Sequence, residues 1–448
     1  MHFTMRIASL ILAFAASSAV ADQCASGSTL DGGNYFCQLV DAIQYSNVGH
    51  AGAYNKVTSM GSDGKCATTP VSYSGSLAPL DEEVSLHFRG PITLKQVAVY
   101  TKTSGSSKKR DTHSHSRHGH KAFHARALKE TVEKRADIVT ATIDGVVQTW
   151  ENNYFGPGGA KATDAPVAAV VNAAAAAVPT PEVASSAAAA GAPVVAAVKQ
   201  KQAADPNAAY TRSGYYDAAS QTLDGLTFLG NYGGSGSGVF DNVFGNSLSY
   251  LNSAGTGGAA SASVLADALI GSNKEFAIFT DNECVEGDSC GYTRPGSVAY
   301  HGFDGADKVF LLEFGMPADG SSGFNADMPA VWMLNAQIPR TLQYGEASCS
   351  CWTTGCGEFD IAEVLMSGDN RCKSTLHTNA PGGSSDYFAR PTSGTMKLAV
   401  IFNGADGTAN IQKLSDDATF PASLTSDQVT TFLNSVTGSL LSTFSVAA

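Results

Sequence analysis

Three acids stand close together in the run Gly357-Glu358-Phe359-Asp360-Ile361-Ala362-Glu363. Acids alternate with apolar residues, and one extra residue separates the last two. On a helix, at roughly 100° per residue, Glu358 and Glu363 would lie about 140° apart and share no face. On a strand, Glu358 and Asp360 point the same way, and strict alternation sends Glu363 to the other side. A β-bulge near Ile361-Ala362 absorbs the extra residue and returns Glu363 to the acidic face. Three carboxylates on one face repel, which raises the pKa of at least one. Two carboxyl groups about 5 Å apart are what a retaining glycosidase needs. One attacks the anomeric carbon; the other, kept protonated, protonates the leaving oxygen and later deprotonates water. Asp360, between them, would hydrogen-bond the nucleophile and hold its charge state. The same string also suits an exposed edge strand whose acids add solubility, or a Ca²⁺ site built from these oxygens.

The surrounding sequence reads as β structure. Glycine is high, at 46 of 448 residues, which favours turn-rich β folds over long helices. Within 208–448, short apolar runs recur between Gly and Pro: Phe276–Phe279, Val309–Phe314, Ala330–Leu334, Phe359–Leu365 and Lys397–Phe402. Many short strands with turn signals predict a sandwich, jelly-roll or barrel. One short helix is expected over Val264–Ile270. Earlier, Val84–Phe88 and Pro91–Tyr100 are strand candidates, so a small Gly-rich β module is expected over 22–103.

Between these regions the composition changes. Residues 104–157 hold the dibasic sites Lys108-Lys109-Arg110 and Lys134-Arg135, five histidines (His113, His115, His118, His120 and His124) and one strand-like stretch, Ile138–Trp150. The dibasic pairs suit a processing protease or a solvated basic loop, and the His tract is a weak candidate for metal binding. Residues 158–207 are Ala-, Val- and Pro-rich and predict a disordered linker. No Asn-x-Ser/Thr sequon occurs, so N-glycosylation is not expected.

Residues 1–21 read as a signal peptide. Arg6 precedes the apolar run Ile7–Phe14, and Ala19-Val20-Ala21 is a cleavage site. Secretion follows as an expectation, and no later segment has the length and polarity of a transmembrane span. The C-terminal tail is too polar for a lipid-anchor signal, which points to a soluble or wall-retained protein. The nine cysteines then read as oxidised. Six late ones (Cys284, Cys290, Cys349, Cys351, Cys356 and Cys372) make three bridges possible within one domain. The early Cys24, Cys37 and Cys66 leave one odd thiol, either free or linked by a disulfide to another chain. Zinc at Cys349/Cys351/Cys356 is a minor alternative, since the spacing lacks two CxxC pairs. No resident metal or cofactor is expected. The net charge of −12 argues against nucleic acid as a partner.

The segment Trp352–Glu363 resembles the active-site strand of glycoside hydrolase family 16, the laminarinase and lichenase group. Met328-Pro329-Ala330-Val331-Trp332-Met333-Leu334 resembles that family's Pro-Ala-Ile-Trp-Met-Leu strand, Phe310–Phe314 the strand leading into it, and Ser374–His377 the strand with a His beside the acids. The whole chain resembles more closely the target-of-SBF family of fungal cell-wall proteins, through Phe228–Gly234, Cys284–Tyr292 and the Cys-rich approach to Glu358. The resemblance implies a C-terminal β-jelly-roll and a retaining mechanism, with Glu358 as nucleophile, Asp360 as its helper and Glu363 as acid/base. It also implies a secreted endo-β-1,3-glucanase of cell-wall organisation, with β-1,3-glucan as its partner. A glucan transglycosylase with the same acids, or a non-catalytic carbohydrate-binding wall protein, are the alternatives. Trp332, Trp352 and Tyr344 are candidates for stacking on sugar faces, with a core role the competing reading. His377 is placed to hydrogen-bond the acids, or to serve the fold.

Overall fold

The computed structural model describes residues 27–103, 138–143, 146–151, 205 and 207–446 except 286. The expected signal peptide, the His-rich tract with its dibasic sites, nearly all of the Ala/Pro-rich segment and Cys24 lie outside these residues. The protein is mainly β, as composition and patterning suggest.

Two large sheets carry the fold. The strands that position the site, in chain order, are β3 (Val84–Arg89), β4 (Leu226–Gly230), β5 (Ser249–Leu251), β6 (Gly258–Ala259), β7 (Glu275–Thr280), β8 (Ala330–Asn335), β9 (Glu358–Glu363), β10 (Arg371–His377) and β11 (Gly382–Ala389). They follow an outlying hairpin of β1 (Gly52–Met60) and β2 (Cys66–Tyr73). The nine form one sheet in the order β6-β5-β4-β7-β3-β8-β9-β10-β11. The second sheet has ten strands, with Ile92–Lys102, Lys308–Gly315, Met396–Asn403 and Thr408–Lys413 at its centre. Leu441–Ser445 closes one edge, parallel to Ala42–Ser46.

Period-two alternation explains the layering. Leu86, Phe88, Phe228, Phe276, Val331, Met333 and Phe359 face inward. They meet Val97, Val99, Phe310, Leu312, Val400 and Phe402 of the ten-stranded sheet in one continuous buried core. The outer face of the ten-stranded sheet is capped by α1 (Ser426–Leu433) through Val429, Phe432 and Leu433. The outer face of the nine-stranded sheet carries the acids.

Residues 27–103 are β-structured, but Ala42–Ser46, Val84–Arg89 and Ile92–Lys102 are strands of the two large sheets and not of a module beside them. Ile92–Lys102 lies between Tyr210–Asp217 and Lys308–Gly315, and β3 lies between β7 and β8. Their strongly apolar inward faces need cover on both sides, which only interior positions supply. In this stretch two hairpins stand apart from both sheets: β1–β2, and Thr29–Asp31 with Asn34–Phe36. Residues 138–143 and 146–151 pair as two antiparallel strands, not one stretch; Asp144-Gly145 between them is a hairpin signal. No helix forms over 264–270, where Leu269–Ile270 instead pairs with Ile92–Thr93.

The disulfides correct the expected pairing. Cys284–Cys290 and Cys351–Cys356 are local, but Cys349 pairs with Cys66 and so ties the hairpin to the active-site loop. Cys37 is also disulfide-bonded. The unpaired thiol among the described residues is Cys372, late rather than early. It is fully buried in the core, out of reach of another chain. Among the described residues, no helix is long and apolar enough to cross a membrane.

Candidate active site

The bulge is present. Trp332 pairs with Asp360 and Val331 with Ala362, which leaves Ile361 as the extra residue on β9. On the other side Asp360 pairs with Thr375 and Glu363 with Lys373, so two residues again oppose one. Ile361 and Ala362 both enter the core with Phe359. Glu358, Asp360 and Glu363 therefore share the outer face.

Each acid has its own support. The Trp352 indole N–H donates to Glu358 Oε2. Trp352 opens a 3₁₀ turn, Trp352–Thr354, held by the Cys351–Cys356 bridge. Burial first, then the negative charge of Asp360, pushes the Glu358 carboxyl up to about 8. His377 lies directly across the strand pair from Glu358, and its Nε2 is 3.0 Å from Asp360 Oδ2. Burial opposes a charge on this imidazole. The hydrogen bond to Asp360 and the charges of Asp360, Glu358 and Glu363 prevail, raising it to about 10. His377 is thus a cation at neutral pH.

Glu363 is held by a residue that motif reading missed. Arg89, on β3, donates from Nη2 to Glu363 Oε1 at 2.8 Å and from Nε to the Met328 carbonyl at 2.7 Å. Ala330 of β8 sits in register between Arg89 and Glu363, and its small side chain lets the guanidinium reach across. Burial works against the guanidinium charge, but Glu363 and Glu275 outweigh it and carry its pKa upward. The alternation Ser85, His87, Arg89 was the available signal, since it places all three on the face opposite Leu86 and Phe88.

The other candidates divide. Trp352 is partly exposed beside Glu358, and its ring lies 6.5 Å from that of His377. Trp332 is on the acidic face but only 5% exposed, with its ring stacked on His87 at 5.2 Å. It forms the floor and offers no open platform. Tyr344 is 48% exposed, and its hydroxyl donates to Glu275 at 2.7 Å. His87 is buried and held neutral, with its pKa down to about 3. A second cluster, Cys284, Asp288, Cys290 and His301, has donor atoms within 4.8 Å of one another. Its sulfurs are joined in a disulfide and His301 is held between Glu83 and Asp288, so those donors are already in use.

The geometry can do acid–base and nucleophilic chemistry on a neutral substrate. It holds a carboxyl that keeps its proton through neutral pH, further carboxylates, and two cations that balance them.

The family described as "Cell wall protein YJL171C/Tos1, C-terminal" matches residues 208–432, and its N-terminal counterpart matches residues 41–102. A Saccharomyces cerevisiae protein named "Probable circularly permuted 1,3-beta-glucanase TOS1" is 44% identical, covering 91% of this chain and 92% of its own. A Candida albicans protein of the same name is 40% identical, covering 91% and 93%. An Arthroderma benhamiae protein named "Probable circularly permuted 1,3-beta-glucanase" is 42% identical, covering 90% and 91%. No solved structure matches. On both matched regions, and on identity across nine-tenths of its length, the chain belongs to the YJL171C/Tos1 family of cell wall proteins.

Proposed function

We propose that this chain is a secreted, retaining glycoside hydrolase or transglycosylase acting on β-1,3-glucan of the cell wall. The observation that carries the reading is the bulged strand β9, which turns Glu358, Asp360 and Glu363 to one face, where Glu358 holds its proton beside the other two. A structural edge strand would not keep an acid protonated to about pH 8. The relatives' printed names agree in substrate. Their "circularly permuted" fits a chain whose residues 84–102 supply interior strands from ahead of the long insert. The three bridges suit an oxidising compartment.

In this reading Glu358 attacks the anomeric carbon and the leaving oxygen takes a proton from Glu363. Water, or a second glucan, then attacks the glycosyl-enzyme as Glu363 takes the proton back. Asp360, paired with His377, fixes the charge beside the nucleophile. A second assignment is favoured by one observation: Arg89 pairs with Glu363 while burial keeps the proton on Glu358. That would make Glu358 the acid and Glu363 the nucleophile. Incubation with defined β-1,3- and β-1,4-oligosaccharides tests the proposal. The wild type is expected to shorten or lengthen only the β-1,3 series, and Glu358→Gln and Glu363→Gln to do neither. Equal reducing-sugar release by wild type and both variants would refute it.

A further inference from the structure

A glycosidase that binds mid-chain needs a cleft running across its sheet, open on both sides of the carboxylates. Here that face is covered. The outward side chains of β7 and β4 are Ala277, Phe279 and Leu229. They are buried under Leu248, Tyr300 and Ala336 in an apolar cluster of their own. The covering segment is anchored by the Val298 N–H to the Leu248 carbonyl and by Tyr300 Oη to Tyr250 Oη, 2.9 Å apart. The Cys284–Cys290 bridge staples the same segment.

Residues 342–344 then fold back over β7 and β3. Asn231 Nδ2 donates to Gln343 Oε1 at 3.3 Å, and Tyr344 holds Glu275. The space left beneath, lined by His87, Glu275, Ala277 and Gln343, is ≈ 10 Å³, about one water and no sugar. Accordingly His87 is only 2% exposed, and Ser85 and all three outward residues of β8 are buried too. On the opposite flank, residues 37–40 run parallel to β11 as an edge partner, with the Cys37 and Val40 N–H groups donating to the Ser385 and Tyr387 carbonyls, while Phe36 stacks on the Arg371 guanidinium and meets Tyr387 edge-on. The partly exposed outward side chains around the acids are Glu358, Glu363, Thr375 and His377 on β9 and β10; Glu275, Arg371 and Tyr387 are engaged by Tyr344, by Asp31 and Asp369, and by Phe36. Two strands span about 10 Å, the length of roughly two sugar rings.

We infer that the site is a short pocket that takes the end of a glucan chain, not a through-cleft for mid-chain attack. This rests on the glucan-active reading and departs from the endo action implied by family resemblance. Cover on the β3–β7–β4 flank lets the chain extend on one side only. The catalytic carboxylates then meet the bond a fixed short distance from one terminus, and the piece released or transferred has one size whatever the substrate length.

The test is a ladder of β-1,3-oligosaccharides, tagged at the reducing end, digested by the full chain and sampled early by mass spectrometry. One constant short piece at every length supports the inference. A spread of internal cuts that broadens with length overturns it and leaves the glucan reading intact. No turnover on any length overturns the glucan reading itself. A second measurement needs no turnover: calorimetric binding of the same ladder to Glu358→Gln. Affinity that stops rising after the shortest members is expected; affinity that climbs through the whole ladder contradicts the pocket.

Discussion

The charge of His377 makes a quantitative demand on the pH profile. With its pKa near 10, the imidazole is a cation throughout the neutral range, and it faces Glu358 across one strand pair. At roughly 6 Å and an effective dielectric near 20, that cation stabilises the Glu358 carboxylate by about 2–3 kcal/mol. Divided by about 1.4 kcal/mol per unit, this is up to about two pKa units. His377 is 29% exposed, so solvent screens part of the effect and about one unit is the smallest shift expected. His377→Gln keeps a donor toward Asp360 and removes the charge. A lost cation disfavours the carboxylate, so Glu358 must rise from about 8, and the uncompensated Asp360 pushes the same way. The pair works with one proton, whichever carboxyl holds it during turnover, and the loss of that proton is the alkaline limb. The assay is kcat/KM for cleavage of a soluble β-1,3-oligosaccharide across pH. The wild-type limb is expected near 8 and the variant limb near 9 or above. A variant limb that stays in place, or moves downward, refutes the charge assignment.

Other expectations follow from the same contacts. Trp352→Phe deletes the indole donor on Glu358; with Glu358 as the ionised nucleophile of the first assignment, a hydrogen bond to a charged group is worth about 1.5–3 kcal/mol, so kcat should fall about 10- to 100-fold with KM nearly unchanged. Glu358→Gln should be stabilising at alkaline pH. The folded-state pKa is raised, so the native state holds an extra proton above the unfolded value of 4.5, and the wild type loses stability as pH climbs toward 8. Thermal melts should therefore show the variant gaining on the wild type between pH 5 and 9; parallel curves would speak against a buried, perturbed Glu358. Cys372, buried and pushed up to about 12, should resist maleimide in the native protein and label only after unfolding. Native labelling would contradict its place in the core.

Much of this was legible in the sequence because it rests on local rules. The odd spacing from Asp360 to Glu363 forced a bulge, and the apolar runs became strands where alternation put them. What escaped were long-range partners. Arg89 lies 274 residues before Glu363, and nothing in its alternating strand says which sheet will receive it. Cys66 and Cys349 are separated by 283 residues, so counting cysteines by neighbourhood paired them wrongly. The composition break at 104–207 suggested separate domains, whereas burial of Ile92–Lys102 on both faces demands interior strands. Trp332 has the right type and face for a sugar platform, but the tertiary cover that hides it leaves no local signature.

The central claim is covalent participation by a carboxylate of β9. Reaction with an activated 2-fluoro-β-glucoside, which slows breakdown of a glycosyl-enzyme, tests it by intact mass and peptide mapping. A single added sugar on the peptide carrying 358–363 is predicted, at Glu358 if the first assignment holds and at Glu363 if the second does. No adduct, or one on a residue outside that strand, would contradict the account.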